Sequence, residues 1–329
     1  MSDTSDSPDW EIQEAFQPTP QDVTFDLDRA LSSVVSLRTK IPEDAFTAAV
    51  LGTERAGNGV VIDDNGLILT IGYLITEAET VWLLGGDGRA SPGHVVAYDQ
   101  ETGFGLVQAL EDMNLPPMPI GSSNEVQVGD TAIVAGFGGR SHATKAQIVA
   151  KREFAGYWEY VLNEAIFTAP AHPNWGGAAL IDRFGRLAGV GSLFVQLPRA
   201  GNDTPLDGNM IVPIDLLKPI FDDLRLYGKV NKAPRPWLGM YTAEAEGELV
   251  VVGVAEDGPA DLAGVEVGDR VVEVDGDPLS SLADMMRRIW NLGPVGTQVP
   301  LTLWREGEAI TLGVTTIDRN DLLKRPKLH

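Results

Sequence analysis

Histidines, serines and glycine-rich loops are the parts of this 329-residue sequence that could perform chemistry. Only four histidines are available as general acid–base groups: His94, His142, His172 and His329. There is no cysteine, which excludes disulfides, a thiol nucleophile and a zinc–thiolate site. The acidic turn Asp63-Asp64-Asn65-Gly66 is too short for a calcium loop, and the sequence has neither a P-loop nor a dinucleotide fingerprint.

Short apolar runs broken by turn residues are the elements that must position these groups. The turn Asp63–Gly66 separates two of the runs and ends in Asn-Gly, a strong hairpin signal. Many short strands with regular turn signals predict a β-barrel or β-sandwich. We interpret the following runs as strands: Leu31–Leu37, Gly59–Ile62, Leu67–Ile71, Thr80–Leu84, His94–Ala97, Leu106–Ala109, Thr131–Val134, Ala146–Ala150, Tyr160–Leu162, Ala178–Ile181 and Leu187–Val190.

A different period appears in Val212–Leu226, where apolar residues recur every three or four positions and predict an amphipathic helix. Pro219 is expected to kink that helix or to mark its boundary. The polar, proline-bearing stretch Tyr227–Pro236 follows and is typical of an interdomain linker. Beyond it, strands and two helices, the longer one at Leu282–Asn291, predict a small mixed domain.

The net charge of −22 excludes the electrostatic attraction on which binding to nucleic acids and anionic membranes depends. No run approaches the ~20 apolar residues of a membrane-spanning helix. If Met1 is the native start, the polar segment that follows it is no secretory signal, and we expect a cytoplasmic protein. The acidic N-terminal arm carries Trp10, Ile12 and Phe16, which either dock onto a neighbouring subunit or belong to a loose tail.

The segment Glu256–Leu279 (EDGPADLAGVEVGDRVVEVDGDPL) resembles the signature of a bacterial PDZ domain without gaps. Just upstream, Pro236–Met240 (PWLGM) resembles the carboxylate-binding loop of that family. The resemblance implies that backbone N–H groups there receive a peptide C-terminus, with the peptide added as a strand to the sheet edge. The candidate peptide-binding residues are Trp237, Leu238, Gly239, Met240, Leu282, Met285, Met286 and Ile289. The apolar residues of the helix are also open to a plain core role.

The first two thirds resemble the protease domain of the HtrA family, on motifs such as Gly57–Ile62, Gly66–Thr70 and Pro173–Leu180. That resemblance implies a trypsin-like double β-barrel in which serine, histidine and aspartate form a catalytic triad. Matching the motifs places Tyr73 at the histidine position, Gly103 at the aspartate position and Gly176 at the serine position. A slip of one residue would place Trp175 at the serine position instead.

The sequence therefore predicts a mostly β fold, a trypsin-like double β-barrel followed by a small α+β PDZ domain. It also predicts that the chain is not an enzyme and that no residue is catalytic: a pseudoprotease that acts as a protein-binding adaptor, scaffold or chaperone through its PDZ domain. Two alternatives stay open. The first is an active endopeptidase with a rearranged site, for which His172 and Ser192 offer a relocated pair; the second is a structural subunit of a larger complex.

The expected domains and partners follow from the same patterns. We expect no cofactor and no metal, and partners that are protein or peptide C-termini. A homo-oligomer (a trimer by resemblance) or a hetero-complex is expected. The predicted segments are a flexible acidic arm (1–25), the protease-like domain (26–226), a linker (227–236), the PDZ domain (237–317) and a tail (318–329).

Overall fold

The computed structural model describes residues 11–199 and 202–324. These residues form two units, one of residues 11–152 and 165–230 and the other of residues 153–164 and 231–324, within the described part of the chain. Among these residues, none of the helices is both long and apolar enough to cross a lipid bilayer.

Six antiparallel strands close the first barrel in the order β1-β2-β3-β6-β5-β4. Asp63 shapes the predicted turn between β2 and β3, because its carboxylate accepts hydrogen bonds from the backbone N–H groups of Asn65 and Leu67 at 2.9 Å each. The strands are β1 (Val34–Lys40), β2 (Glu54–Val61), β3 (Leu67–Ile71), β4 (Thr80–Leu84), β5 (Ala90–Tyr98) and β6 (Phe104–Ala109).

A second barrel closes in the order β10-β11-β12-β9-β8-β7. Its core is aliphatic and lined by alternate residues of these strands, among them Val134, Ile148 and Ile166. The strands are β7 (Thr131–Ala135), β8 (Ala143–Gly156), β9 (Tyr160–Ala169), β10 (Ala179–Ile181), β11 (Leu187–Arg199) and β12 (Asn202–Pro213). Residues 153–164, the outer part of the β8–β9 hairpin, belong to the second unit, which the predicted domain bounds did not anticipate.

The C-terminal part of the second unit is a small α+β domain. Its main sheet has the order β14-β15-β16-β18-β19, with β17 beside β16, and β13 pairs with β20. The elements are β13 (Pro236–Trp237), β14 (Met240–Ala245), β15 (Glu248–Val254), β16 (Arg270–Val274), β17 (Asp277–Pro278), β18 (Gln298–Arg305), β19 (Glu308–Thr315) and β20 (Ile317–Asp318). The mostly β architecture of two barrels and a small α+β domain confirms the predicted fold class.

The α-helices are short, and the longest of them lies in the second unit. The α-helices are α1 (Leu27–Ser32), α2 (Ala48–Leu51), α3 (Phe221–Tyr227), α4 (Pro259–Leu262) and α5 (Leu282–Leu292). Single 3₁₀ turns occupy Glu14–Phe16, Pro20–Asp22, Gly72–Leu74, Ser123–Glu125, Gly139–His142, Ile214–Leu216 and Arg319–Asp321.

Two element predictions were wrong, each for a local reason. The run Leu31–Leu37 is not one strand, because Asp26 caps α1 by accepting a hydrogen bond from the N–H of Arg29, and β1 starts only at Val34. Val212–Leu226 is not one helix either. β12 continues to Pro213, a 3₁₀ turn follows, and Pro219 interrupts the backbone before α3 begins at Phe221.

The predicted N-terminal arm lies against the second barrel from Glu11 onward. The N–H of Ile12 donates to the carbonyl of Ser141 at 2.8 Å, and the Ile12 side chain is buried. Phe16 is 41% exposed, and Trp10 lies outside the described residues. The structure therefore gives Ile12 a packing role within this chain, and the expected oligomer stays a prediction.

Asp269, in the Gly-Asp pair of the predicted PDZ signature, is buried and anchors β16 to β18. Its carboxylate accepts two hydrogen bonds of 2.6 Å from Arg305 and one of 2.9 Å from the N–H of Glu266. Burial opposes the charged form, but these hydrogen bonds outweigh it and hold the pKa of Asp269 below its ordinary value. The carboxylate therefore stabilises the fold while it is ionised.

We expect Asp269→Asn to destabilise the second unit by about 2 kcal/mol at neutral pH. Because a lowered carboxyl pKa contributes stability above the unfolded pKa, the deficit should shrink as the pH falls below about 4. Urea titrations at pH 7 and at acid pH measure both effects. Asp275→Asn, at an exposed turn, is the control, and equal stability of the two variants would contradict the anchoring role.

Candidate functional site

The three positions matched to a protease triad lie together in the first unit. A Cβ atom built on Gly176 would lie 2.7 Å from the hydroxyl oxygen of Tyr73. The N–H of Gly72, next to Tyr73, donates to the carbonyl of Gly103 at 2.6 Å. The chain thus brings positions 73, 103 and 176 together, with a phenol as the only side-chain functional group among the three.

Tyr73 is held by β11 and by the loop of residues 170–178, which connects β9 to β10 in the second barrel. Its hydroxyl donates to the carbonyl oxygen of Ser192 at 3.1 Å. Burial raises the pKa of Tyr73, and a hydrogen bond with Trp175 offsets this only in part. The phenol therefore stays protonated at neutral pH and serves as a hydrogen-bond donor. Trp175 also packs against Phe194, with ring centroids 5.7 Å apart.

His172 is a buried structural residue of the same loop. Its Nδ1 accepts from the N–H of Asn174 at 3.2 Å, so Nε2 carries the proton and donates to the carbonyl of His142 at 2.9 Å. Burial lowers the pKa of His172, which keeps the ring neutral. Both ring nitrogens are thus engaged with backbone groups, and His172 is not poised to act as a base on Ser192.

Among the described residues, the side chains of His94 and His142 lie outside this cluster. His94 is exposed on β5. His142 ends a 3₁₀ turn, and its ring lies 3.0 Å from the Ser141 hydroxyl. His329 lies outside the described residues.

Asn58, fully buried on β2, ties the first barrel to this loop. Its Nδ2 donates to the carbonyls of Asn174 at 2.9 Å and Gly176 at 3.1 Å. Its Oδ1 accepts from the N–H of Phe137 at 2.8 Å. One amide side chain therefore satisfies three backbone groups of the second barrel.

Asn58→Ala is expected to lower the free energy of unfolding by about 2–3 kcal/mol, because buried backbone groups lose their partners. Thermal denaturation with and without the substitution measures the loss. Asn124→Ala, at an exposed position whose hydrogen bonds use backbone atoms, is the control. A melting temperature equal to that of the control would show that Asn58 is dispensable.

The predicted carboxylate-binding loop has the geometry that binds a carboxylate. Successive N–H groups of Leu238, Gly239 and Met240 point at one carboxylate, at 2.8–3.2 Å. Gly239 has φ +74°, a backbone conformation that glycine adopts without strain and that lets the loop turn its N–H groups inward. The carboxylate belongs to Glu159, at the tip of the 153–164 hairpin in the same unit.

All but one of the predicted apolar groove residues pack in a single apolar cluster at this loop. Burial leaves the side chains of Leu238, Met240 and Ile289 at most 2% exposed. Val161 of the hairpin is part of the same cluster. The remaining predicted members are Trp237, Leu282, Met285 and Met286, all buried, and of these Trp237 lies outside the cluster and pairs with Ile317. Their use by a peptide stays a prediction.

Glu159 lies in the candidate site, and nothing in the sequence predicted it there. It lies 79 residues from the loop in the chain, and Trp158-Glu159-Tyr160 matches no motif. The available signal was weak, a lone acidic residue in a cluster of aromatics at a hairpin tip. Its burial raises the pKa of Glu159 to about 7, and the three N–H groups and Arg319 offset this only in part.

Comparison with protein-family models finds two matches. A trypsin-like peptidase domain matches residues 57–190, and a PDZ domain matches residues 236–316. Both matches fall on the parts of the chain where the structure has the two barrels and the small α+β domain.

Curated relatives agree with this arrangement. The chain is 28% identical over 278 residues to a probable periplasmic serine endoprotease DegP-like of Pseudomonas savastanoi pv. phaseolicola, covering 80% of this chain and 56% of that protein. It is 27% identical over 275 residues to the serine endoprotease DegS of Escherichia coli, covering 79% of this chain and 76% of that protein. The chain thus spans about half the length of the DegP-like relatives it matches.

Solved structures share the fold. The HtrA-type protease AlgW with a decapeptide matches with a TM-score of 0.50 and 23% identity, over 92% of this chain and 98% of that one. A variant of AlgW with a decapeptide matches with a TM-score of 0.51 and 22% identity, over 91% of this chain and 97% of that one.

The prediction that the chain is not an enzyme is contradicted by these comparisons, because the relatives it matches are named serine endoproteases. The predicted resemblance to HtrA proteases with a PDZ domain is confirmed. The chain thus combines a trypsin-like peptidase domain with a following PDZ domain, the arrangement of the HtrA-type proteases to which it is similar.

Proposed function

We propose that this HtrA-type protein binds the C-terminal carboxylate of a polypeptide in the loop of residues 238–240. One observation carries the proposal: three successive N–H groups of the loop donate to a single carboxylate. Charge-assisted hydrogen bonds of this kind are about twice as strong as neutral ones. AlgW, which shares the fold, is described in complex with a decapeptide.

The chemistry of the ligand tests this function without changing the protein. A fluorescein-labelled decapeptide ending in valine with a free carboxylate should bind at least about tenfold more tightly than its C-terminal amide, because the amide loses the charged hydrogen bonds. Fluorescence anisotropy measures both affinities. Equal affinities for acid and amide would contradict recognition of a C-terminus.

A second function, endopeptidase activity with a rearranged site, is favoured by the serine endoproteases among the relatives. Positions 73, 103 and 176 hold tyrosine and two glycines, so this activity draws its nucleophile from elsewhere. Ser192 is the candidate beside the cluster, since its carbonyl accepts the Tyr73 hydrogen bond. Its base would have to be a group other than His172, whose two ring nitrogens are engaged.

A fluorophosphonate probe and unfolded casein test this second function. An endopeptidase should label on one serine and cleave casein, and Ser192→Ala should abolish both if Ser192 is the nucleophile. Labelling that persists in Ser192→Ala would assign the nucleophile to another serine. Absence of both labelling and cleavage in the native chain would contradict the endopeptidase function.

An adaptor or scaffold role would use the same groove, because it requires peptide binding and no peptidase activity. Affinity purification of the intact chain beside one ending at Lys232 separates the roles. A stoichiometric partner lost with the PDZ domain supports the adaptor, and a partner retained without it contradicts groove-dependent binding. The cytoplasmic location stays a prediction.

A further inference from the structure

We propose that the 153–164 hairpin is a built-in ligand of the PDZ groove, in which the Glu159 side chain takes the place of a peptide's terminal carboxylate. An external C-terminus then binds by displacing the hairpin. This inference rests on the proposed recognition of C-termini by the loop of residues 238–240, and it adds that the groove is self-occupied.

The carboxylate end of the groove is filled by Glu159. Its Oε1 accepts from the N–H groups of Leu238, Gly239 and Met240 at 3.1, 2.8 and 3.2 Å. Glu159 itself is 8% exposed. Because a buried carboxylate is costly unless it is hydrogen-bonded, this loop is the reason that the charge can lie here.

The hairpin also reaches both walls of the groove. On the sheet side, the carbonyl of Tyr157 accepts from the N–H of Thr242 on β14 at 3.0 Å, a main-chain bond of the kind an added strand makes. On the helix side, Arg287 of α5 forms an ion pair with Glu153 and donates to Asn163 Oδ1 at 2.8 Å. The two ends of the hairpin are thus clasped by the helix while its tip lies in the loop.

The apolar part of the groove is filled as well. Val161 lies on β9, two residues after Glu159. It is 9% exposed and packs in the cluster that contains Met240, Met286 and Ile289. A carboxylate followed by a small branched apolar side chain is the chemistry that a C-terminal valine would present to the same surface.

The backbone conformation of Glu159 indicates that its side chain is the reason for its presence at the hairpin tip. Glu159 has φ +59°, a left-handed conformation that costs a non-glycine residue about 1–2 kcal/mol and that glycine adopts freely. Local energetics would therefore favour glycine at this position. The three hydrogen bonds to the carboxylate explain why glutamate stands there.

Only molecules in which the hairpin is undocked can bind an external peptide. The apparent affinity is therefore the intrinsic affinity multiplied by the fraction of undocked molecules. Removing the carboxylate should raise that fraction. In Glu159→Gly, which also relieves the left-handed backbone, we expect the decapeptide acid to bind about tenfold or more tightly than it binds the native chain. Glu246→Gln is the matched control, because Glu246 also has a positive φ (+54°) in the second unit but is exposed.

Amide hydrogen exchange of residues 238–240 gives a readout that needs no peptide. The native chain should protect these three amides, Glu159→Gly should lose the protection, and Glu246→Gln should keep it. Unchanged protection in Glu159→Gly, or an unchanged peptide affinity alongside measurable binding, would overturn the built-in ligand. Lost protection without peptide binding in any variant would retain the built-in ligand and overturn recognition of external C-termini, so the two proposals fail separately.

Discussion

Gly177→Ala should unfold the double-barrel unit at a far lower denaturant concentration than the native chain, with a loss of about 4 kcal/mol or more. Gly177 has φ +75°, which alanine adopts only with strain. An added Cβ would also lie 1.9 Å from the carbonyl oxygen of Asn58 and 2.7 Å from Thr70 Oγ1. The added methyl group would thus clash with a backbone atom and with a side-chain atom, so the loop that contains Gly177 would have to move away from β2.

Urea denaturation followed by near-ultraviolet circular dichroism measures this loss. Gly129→Ala is the matched control, because Gly129 has φ +97° but no atom lies within 4 Å of an added Cβ. That variant should lose only about 1–2 kcal/mol, the cost of the backbone conformation alone. Similar losses in the two variants would show that the close approach of the loop to Asn58 is not what the fold requires.

Peptide affinity should increase as the pH rises from about 5 to about 7 and then level off. The docked Glu159 has a pKa raised to about 7 by burial, whereas a displaced, hydrated Glu159 has an ordinary pKa near 4.5. The docked state therefore holds its proton more tightly, docking is strongest at low pH, and it weakens as the pH rises through this window. Because the peptide competes with docking, its affinity changes in the opposite direction, by at most about tenfold per pH unit.

Anisotropy titrations at pH 5, 6, 7 and 8 measure this profile. Two other groups act on Glu159: Arg319, whose charge favours the carboxylate, and Tyr241, which stays protonated in this range because burial raises its pKa. Glu159→Gln should give a flat profile. A slope retained in Glu159→Gln, or an affinity that falls with rising pH in the native chain, would assign the titration to another group.

The strands of the barrels were predictable because their signals are local. Leu67–Ile71 and Thr80–Leu84 have the predicted bounds, since each is a short apolar or alternating run between turn residues. The predicted helix over Val212–Leu226 was wrong because its apolar period is shared by a strand end, a 3₁₀ turn and a short helix, which bury residues such as Ile214 and Leu224. The spacing of apolar residues alone does not distinguish these three kinds of element.

The loop of residues 238–240 was predictable by resemblance, because its backbone geometry is encoded by adjacent residues such as Gly239. What lies in that loop was not predictable. Glu159 reaches it through a tertiary contact between segments 79 residues apart, and neither segment carries a pattern that specifies the other. Likewise, the engagement of His172 with the backbone of His142 and Asn174 depends on the packing of the loop and has no sequence signature.

A crystal structure of the Glu159→Gly variant of the full chain with the valine-terminated decapeptide would test the central claim most directly. We predict the peptide carboxylate within hydrogen-bonding distance of the N–H groups of Leu238, Gly239 and Met240, with the 153–164 hairpin displaced from the groove. A peptide bound elsewhere, or a hairpin still docked in the groove beside an empty loop, would contradict it.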